Sequence, residues 1–210
     1  MEGADAHLRR SDPVLARLID DFGGPLPLEP DSRGRPADLY GALVRSITGQ
    51  QLSVKAARSI WNRLVARYDG RTPTPEEILA EDPEQLRAAA GFSRAKVAYL
   101  RSLAEHVLAG ELELDRMDEL GDTEVIEELT AVKGIGEWTA HMFLMFTLQR
   151  PDVLPTGDLG VRNAVRNAYG LDAPPAPDAL RALAEPWRPY RTRACLYLWR
   201  SLDNEPTAVP

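Results

Sequence analysis

The chain has 210 residues, 44% of them hydrophobic, and a formal net charge of -7. That length suits one large domain or two small ones, and it can bury a real core. The single cysteine, Cys195, excludes a disulfide framework and any four-cysteine zinc or iron–sulfur centre, and it fits a reducing compartment.

The first ten residues mix Glu2, Asp5, Arg9 and Arg10 without an apolar run, so neither a signal peptide nor a membrane span is expected. Ser11-Asp12-Pro13 can open a helix reaching Phe22, and Gly23, Gly24, Pro25, Pro27 and Pro30 then read as a loop. Leu39, Leu43, Val44 and Ile47 recur at helical spacing up to Gly49, a break before a second helix over 53–68. Thr74-Pro75-Glu76-Glu77 and Asp82-Pro83-Glu84-Gln85 each place a capping residue three positions before an acid or amide, with proline at the first helical position. A longer helix over 93–109 turns Val97, Leu100, Leu103, Ala104 and Val107 inward. Helices follow over 123–132, 137–148, 159–169, 178–184 and 190–202, divided by proline-rich loops. No run alternates as a strand would, so the fold class is all-α.

Charge is segregated. Arg45, Lys55, Arg58, Arg63 and Arg67 lie between Leu39 and Tyr68 with no acid among them, and Arg188, Arg191, Arg193 and Arg200 form a second such run. The acids gather in 76–84 and 111–128. This permits a basic face despite the negative total, although ordinary solvated helix faces would give the same pattern.

The most informative stretch is Leu129 to Ala140, where Lys133-Gly134-Ile135-Gly136 joins two helices. Glycine permits a tight interhelical turn, and amides opening the second helix can clamp a phosphate. Asp158 follows 22 residues after Gly136, behind Pro155-Thr156-Gly157, at the start of another helix. A carboxylate there is a good cap, and it can also oppose a developing positive charge. Trp138, Met142 and Met145 fall near one helix face, and Arg191, Cys195 and Trp199 near another; a core stripe explains either as readily as a binding wall. His7, His106 and His141 make no recognisable metal spacing.

The hairpin and Asp158, with Ser46-Ile47-Thr48-Gly49-Gln50-Gln51-Leu52-Ser53, Gly91-Phe92-Ser93-Arg94-Ala95-Lys96 and Trp187-Arg188-Pro189-Tyr190-Arg191, resemble the helix-hairpin-helix DNA glycosylase superfamily. Within it the chain is most similar to the 3-methyladenine DNA glycosylase II branch, over roughly residues 36 to 202. The resemblance implies two helical subdomains flanking an active-site cleft: about 36–150, ending in the hairpin, and about 1–35 with 151–210. The β-rich N-terminal domain of larger relatives is not expected.

By the same resemblance, Asp158 opposes the cationic sugar and assists the attacking water, while Trp138 and Trp199, with Met142, wall a pocket for the flipped base. Lys133, Gly134, Ile135 and Gly136 grip DNA. Gln50, Gln51 or Leu52 fills the gap left in the duplex, unless Leu52 is simply core. Lyase members carry a lysine where Trp138 stands, so simple hydrolysis is implied. No cofactor is implied, save a sodium or potassium ion on the carbonyls of Thr130, Val132 and Ile135. The expected partner is duplex DNA with a damaged base, bound by a monomer with no membrane contact, in the cytoplasm or on a bacterial nucleoid. Two alternatives are a non-catalytic helix-hairpin-helix module and a glycosylase/lyase acting on oxidised or mismatched bases.

Overall fold

A computed structural model describes residues 2–24 and 38–203 of the chain. The loop expected at Pro25, Pro27 and Pro30 lies outside them. Among the described residues there are twelve α-helices, two short 3-10 turns and no strand. The chain divides into two compact units, one holding described residues 2–24 and 144–203, the other 38–143.

The first unit opens with two helices, α1 (Glu2–Ser11) and α2 (Pro13–Phe22). The charges of α1 hide two buried apolar positions, Ala4 and Leu8, which is why residues 2–11 do not read as a helix from sequence. Asp12 caps α2, accepting from Val14 N at 2.8 Å and Leu15 N at 3.2 Å. Its other oxygen accepts Trp187 Nε1 at 2.8 Å and the Tyr169 hydroxyl, so a single carboxylate fastens three parts of the unit. Helices α10 (Leu159–Tyr169), α11 (Pro177–Leu183) and α12 (Arg191–Asp203) complete it. Leu15, Leu18, Ile19 and Phe22 of α2, Val161 and Val165 of α10, and Leu196 and Leu198 of α12 are buried, and each large apolar side chain contributes about 1.5–3 kcal/mol. Cys195 is fully buried among them, and burial pushes its thiol up.

The second unit contains α3 (Leu39–Gly49), α4 (Val54–Ala66), α5 (Pro75–Ala80), α6 (Pro83–Ala90), α7 (Arg94–Leu108) and α8 (Asp122–Ala131). The expected caps are in place: Thr74 and Glu77 form a reciprocal capping box, Asp82 accepts two first-turn amides of α6, and Ser53 caps α4. Leu43, Val44 and Ile47 of α3 and Leu100 and Leu103 of α7 are buried, with α3 packed on both α4 and α7. The division between units runs through α9 (Glu137–Phe146), between residues 143 and 144.

Candidate active site and nucleic-acid interface

The segment before α10 is folded tightly by backbone bonds, Thr156 N to Leu154 O and Asp158 N to Pro155 O, both 2.9 Å. Asp158 then caps α10, with 9% of its surface exposed. Its Oδ1 accepts Val161 N at 2.7 Å and the indole Nε1–H of Trp199 at 2.9 Å. Two N–H donors at a helix N-terminus suit an anion, and the arrangement fixes the direction of the carboxylate. The sequence reading makes Trp199 an aromatic wall and does not foresee this hydrogen bond to the carboxylate. The Trp199 ring also stacks on Phe146, centroids 6.0 Å apart and planes 26° apart, so the donor is itself held. Sequence reasoning missed Phe146 and the hydrogen bond, because both arise from residues far apart in the chain.

In the other unit, Val132 ends α8 and its carbonyl accepts Ile135 N at 3.1 Å, closing the hairpin turn. Gly134 has φ +89°, and a Cβ there would lie only 2.2–2.5 Å from three carbons of the Tyr99 ring. Gly136 differs: its φ is not positive, and a Cβ on it would meet nothing within 4 Å. The sequence reading assigned both glycines to the turn. The turn needs only Gly134, and Gly136 instead leaves the start of α9 bare for close approach. The amides of that first turn have no acceptor within their own helix.

The hairpin is braced from two sides. Ser102 Oγ accepts Lys133 N at 3.2 Å, leaving the exposed lysine side chain pointing away from the core. Gln50 Nε2 donates to Gly134 O at 2.9 Å, tying the α3–α4 junction to the turn. Beside it Gln51 adopts a left-handed φ of 57°, and its side chain is exposed. Leu52 is 38% exposed, which overturns its reading as a core residue. Lys96 Nζ donates to Thr48 O at 2.6 Å, and burial draws its ammonium below the ordinary lysine range. Between these elements lies a concavity of about 370 Å³ lined by Gln50, Gln51, Lys96, Tyr99, Gly134 and Trp138.

Trp138, on the first turn of α9, is 49% exposed, and Met142 one turn later is half-buried. Met145 is fully buried, so the three do not form one wall. Trp138 and Trp199 belong to different units. His141 lies 3.9 Å from Glu137 on the same helix, and among the described residues no group of three His, Cys, Asp or Glu side chains is placed to hold a metal.

The basic runs are less available than their sequence suggested. Arg67 pairs with Glu81, Arg191 and Arg188 with Asp152 at 2.7 Å, and Arg193 with Asp5 at 2.5 Å. Arg63 Nε donates to Ala90 O at 3.0 Å and Arg200 donates to Gly24 O. These arginines are structural braces, matched to partners outside their own run.

The model of the HhH-GPD superfamily of base excision DNA repair proteins matches residues 44–189, spanning the α3–α4 junction, the hairpin, Asp158 and the cis Arg188-Pro189 bond. The chain belongs to that superfamily. It is 38% identical over 200 residues to DNA-3-methyladenine glycosylase 1 of Schizosaccharomyces pombe, covering 94% of this chain and 86% of that protein. A solved structure of the S. pombe 3-methyladenine DNA glycosylase Mag1 in complex with abasic DNA superposes with a TM-score of 0.82 at 37% identity, over 96% of this chain and 97% of that one. DNA-3-methyladenine glycosylase 2 of Escherichia coli is 31% identical over 179 residues, 80% of this chain and 60% of that protein. The matched span holds both the hairpin turn and the aspartate that caps α10.

Proposed function

We propose that the chain is a monofunctional DNA glycosylase, hydrolysing the N-glycosidic bond of alkylated, 3-methyladenine-type bases in duplex DNA and so opening base excision repair. The observation that carries this reading is Asp158, fixed by Val161 N–H and Trp199 Nε1–H at the head of α10 in a chain that also has the hairpin.

Each part has a task its geometry suits. The hairpin amides, with Gly136 open and Lys133 exposed, meet backbone phosphate. The target base has to leave the stack, at a cost of a few kcal/mol. Gln51 and Leu52, exposed at the α3–α4 junction and steadied by Gln50, then occupy the space it leaves. The exposed indole of Trp138 offers a face to a flipped base, with Met142 one turn further along α9. A cationic base gains about 0.5–2 kcal/mol from each such aromatic contact.

Bond cleavage leaves positive charge on the sugar. The Asp158 carboxylate opposes that charge and accepts a proton from the attacking water. An alkylated cationic base departs without prior protonation, so no separate general acid is required. By the family resemblance, Trp138 stands where lyase members carry the lysine that forms a Schiff base with the sugar, and indole cannot do so.

By the family resemblance, a sodium or potassium ion would be held by the hairpin carbonyls of Thr130, Val132 and Ile135. The Val132 carbonyl takes the Ile135 N–H yet has a second lone pair, and the Thr130 hydroxyl is turned back to Ile126 O at 2.7 Å. Such an ion would add a positive charge beside the phosphate grip. A monomeric enzyme working on DNA in the cytoplasm or nucleoid is consistent with this reading.

The test is a panel of duplexes carrying 3-methyladenine, 7-methylguanine, hypoxanthine, ethenoadenine or 3-methylcytosine, assayed for strand scission after alkali, with borohydride trapping in parallel. Abasic product from the methylated purines with no trapped adduct is expected. Duplex binding without product would make the chain a binding module, and a trapped adduct would make it a lyase.

A further inference from the structure

We infer that Gly160 is a positioning residue: its missing side chain leaves the gap through which Trp199 holds the Asp158 carboxylate. This deepens the reading of Asp158 as the hydrolytic carboxylate and rests on it.

Gly160 is the second residue of α10, where alanine is the better helix former. Its backbone makes no demand for glycine, since its φ is not positive. The reason lies in what surrounds it. A Cβ at this position would sit 3.0 Å from Asp158 Oδ1, 3.0 Å from Trp199 Nε1 and 3.1 Å from Trp199 Cδ1. Those are the two ends of one hydrogen bond. Ordinary contact for a methyl group begins near 3.4 Å, so at least one partner must withdraw by a few tenths of an ångström. Asp158 is pinned by Val161 N at 2.7 Å as the cap of its own helix, whereas the indole comes from α12. The indole is the group that gives, and the carboxylate loses its lateral donor while the cap and fold remain. A helix position that forgoes propensity beside reacting groups is where local and functional demands conflict.

The experiment compares wild type, Gly160→Ala, Trp199→Phe, the double variant and Asp158→Asn. Single-turnover excision of 7-methylguanine and of 3-methyladenine is measured with affinity for an abasic duplex, thermal unfolding and the indole ¹⁵N–¹H resonance of Trp199. Gly160→Ala is expected to slow both excisions by about 10- to 100-fold, since small misplacements at the reacting centre carry losses of that order. Abasic-duplex affinity and melting temperature are expected to hold, and the Trp199 indole proton to move upfield. In the Trp199→Phe background, where Nε1 is gone, adding Gly160→Ala is expected to cost under about threefold, the signature of a shared contact.

A wild-type rate for Gly160→Ala, or an undiminished loss in the phenylalanine background, overturns the inference. So does a loss confined to one of the two bases, which would mark a defect of base fit. Should Gly160→Ala fail to fold, Trp199→Phe decides alone, and a wild-type rate there overturns it. If Asp158→Asn is inactive while Gly160→Ala is fully active, only the Gly160 inference falls; an active Asp158→Asn removes the reading beneath it.

Discussion

Gly134 and Gly136 have the same sequence motif and opposite structural needs, and paired alanine substitutions separate them. At Gly134 the new residue must hold φ near +89°, a left-handed backbone that costs an L side chain about 1–2 kcal/mol. Its methyl group must also displace the Tyr99 ring, and overpacking of this kind costs about 1–3 kcal/mol. The sum, about 2–5 kcal/mol, is a large share of the 5–15 kcal/mol that typically holds a domain together. Tyr99→Ala should relieve the steric part in a double variant and leave the backbone part in place. At Gly136 neither cost applies, because φ is not positive and nothing lies within 4 Å of the added carbon. Gly136→Ala should stay within about 0.5 kcal/mol of wild type in stability and yet bind duplex DNA more weakly, as a methyl group stands where a phosphate must approach. Urea midpoints and fluorescence titrations of an abasic duplex read the two effects separately. Equal stability losses in the two variants, or a Gly134→Ala variant as stable as wild type, would refute the assignment of the turn to Gly134 alone.

Other consequences can be checked directly. Gln50→Ala removes the bond to Gly134 O and should lower stability by about 0.5–1.5 kcal/mol, with slower excision as the α3–α4 junction loosens; unchanged urea midpoints would argue that the strut is idle. Lys133→Ala should leave folding intact and reduce the slope of log affinity against log salt by about 1, if its exposed ammonium meets phosphate. The hydrogen bond from Arg193 holds the Asp5 carboxyl below its ordinary value of 3.8. A depressed folded-state value means that the stability it adds is fully present above pH 3.8 and is lost as the pH falls through the lower folded value. The gap in urea midpoint between wild type and Asp5→Asn should therefore be full at neutral pH and narrow as the pH falls below 3.8; a gap that does not narrow in acid would point to a cause other than the charge.

Local signals were legible and long-range ones were not. Thr74, Asp82 and Ser53 announce helix starts because a cap and its amides lie within three residues, and the structure has a helix at each. Helix α1 was hidden because only Ala4 and Leu8 face inward from a charged segment. The arginine runs suggested a basic face because pairing was judged within each run, while Asp152, Asp5 and Glu81 reach them from distant positions. Asp158 and Trp199 could each be singled out by type and motif, but their hydrogen bond spans 41 positions and has no local trace. Gly160 was the available clue, a glycine just inside a helix, two residues after its capping aspartate.

The most direct test of the carboxylate's role is Asp158→Asn, an isosteric change that keeps an acceptor oxygen for Val161 N–H and Trp199 Nε1–H while removing the charge. Single-turnover excision of a methylated purine from duplex DNA should fall by about 10³-fold or more, with abasic-duplex affinity within about threefold of wild type. Excision within tenfold of wild type would contradict the proposal that this negative charge drives hydrolysis.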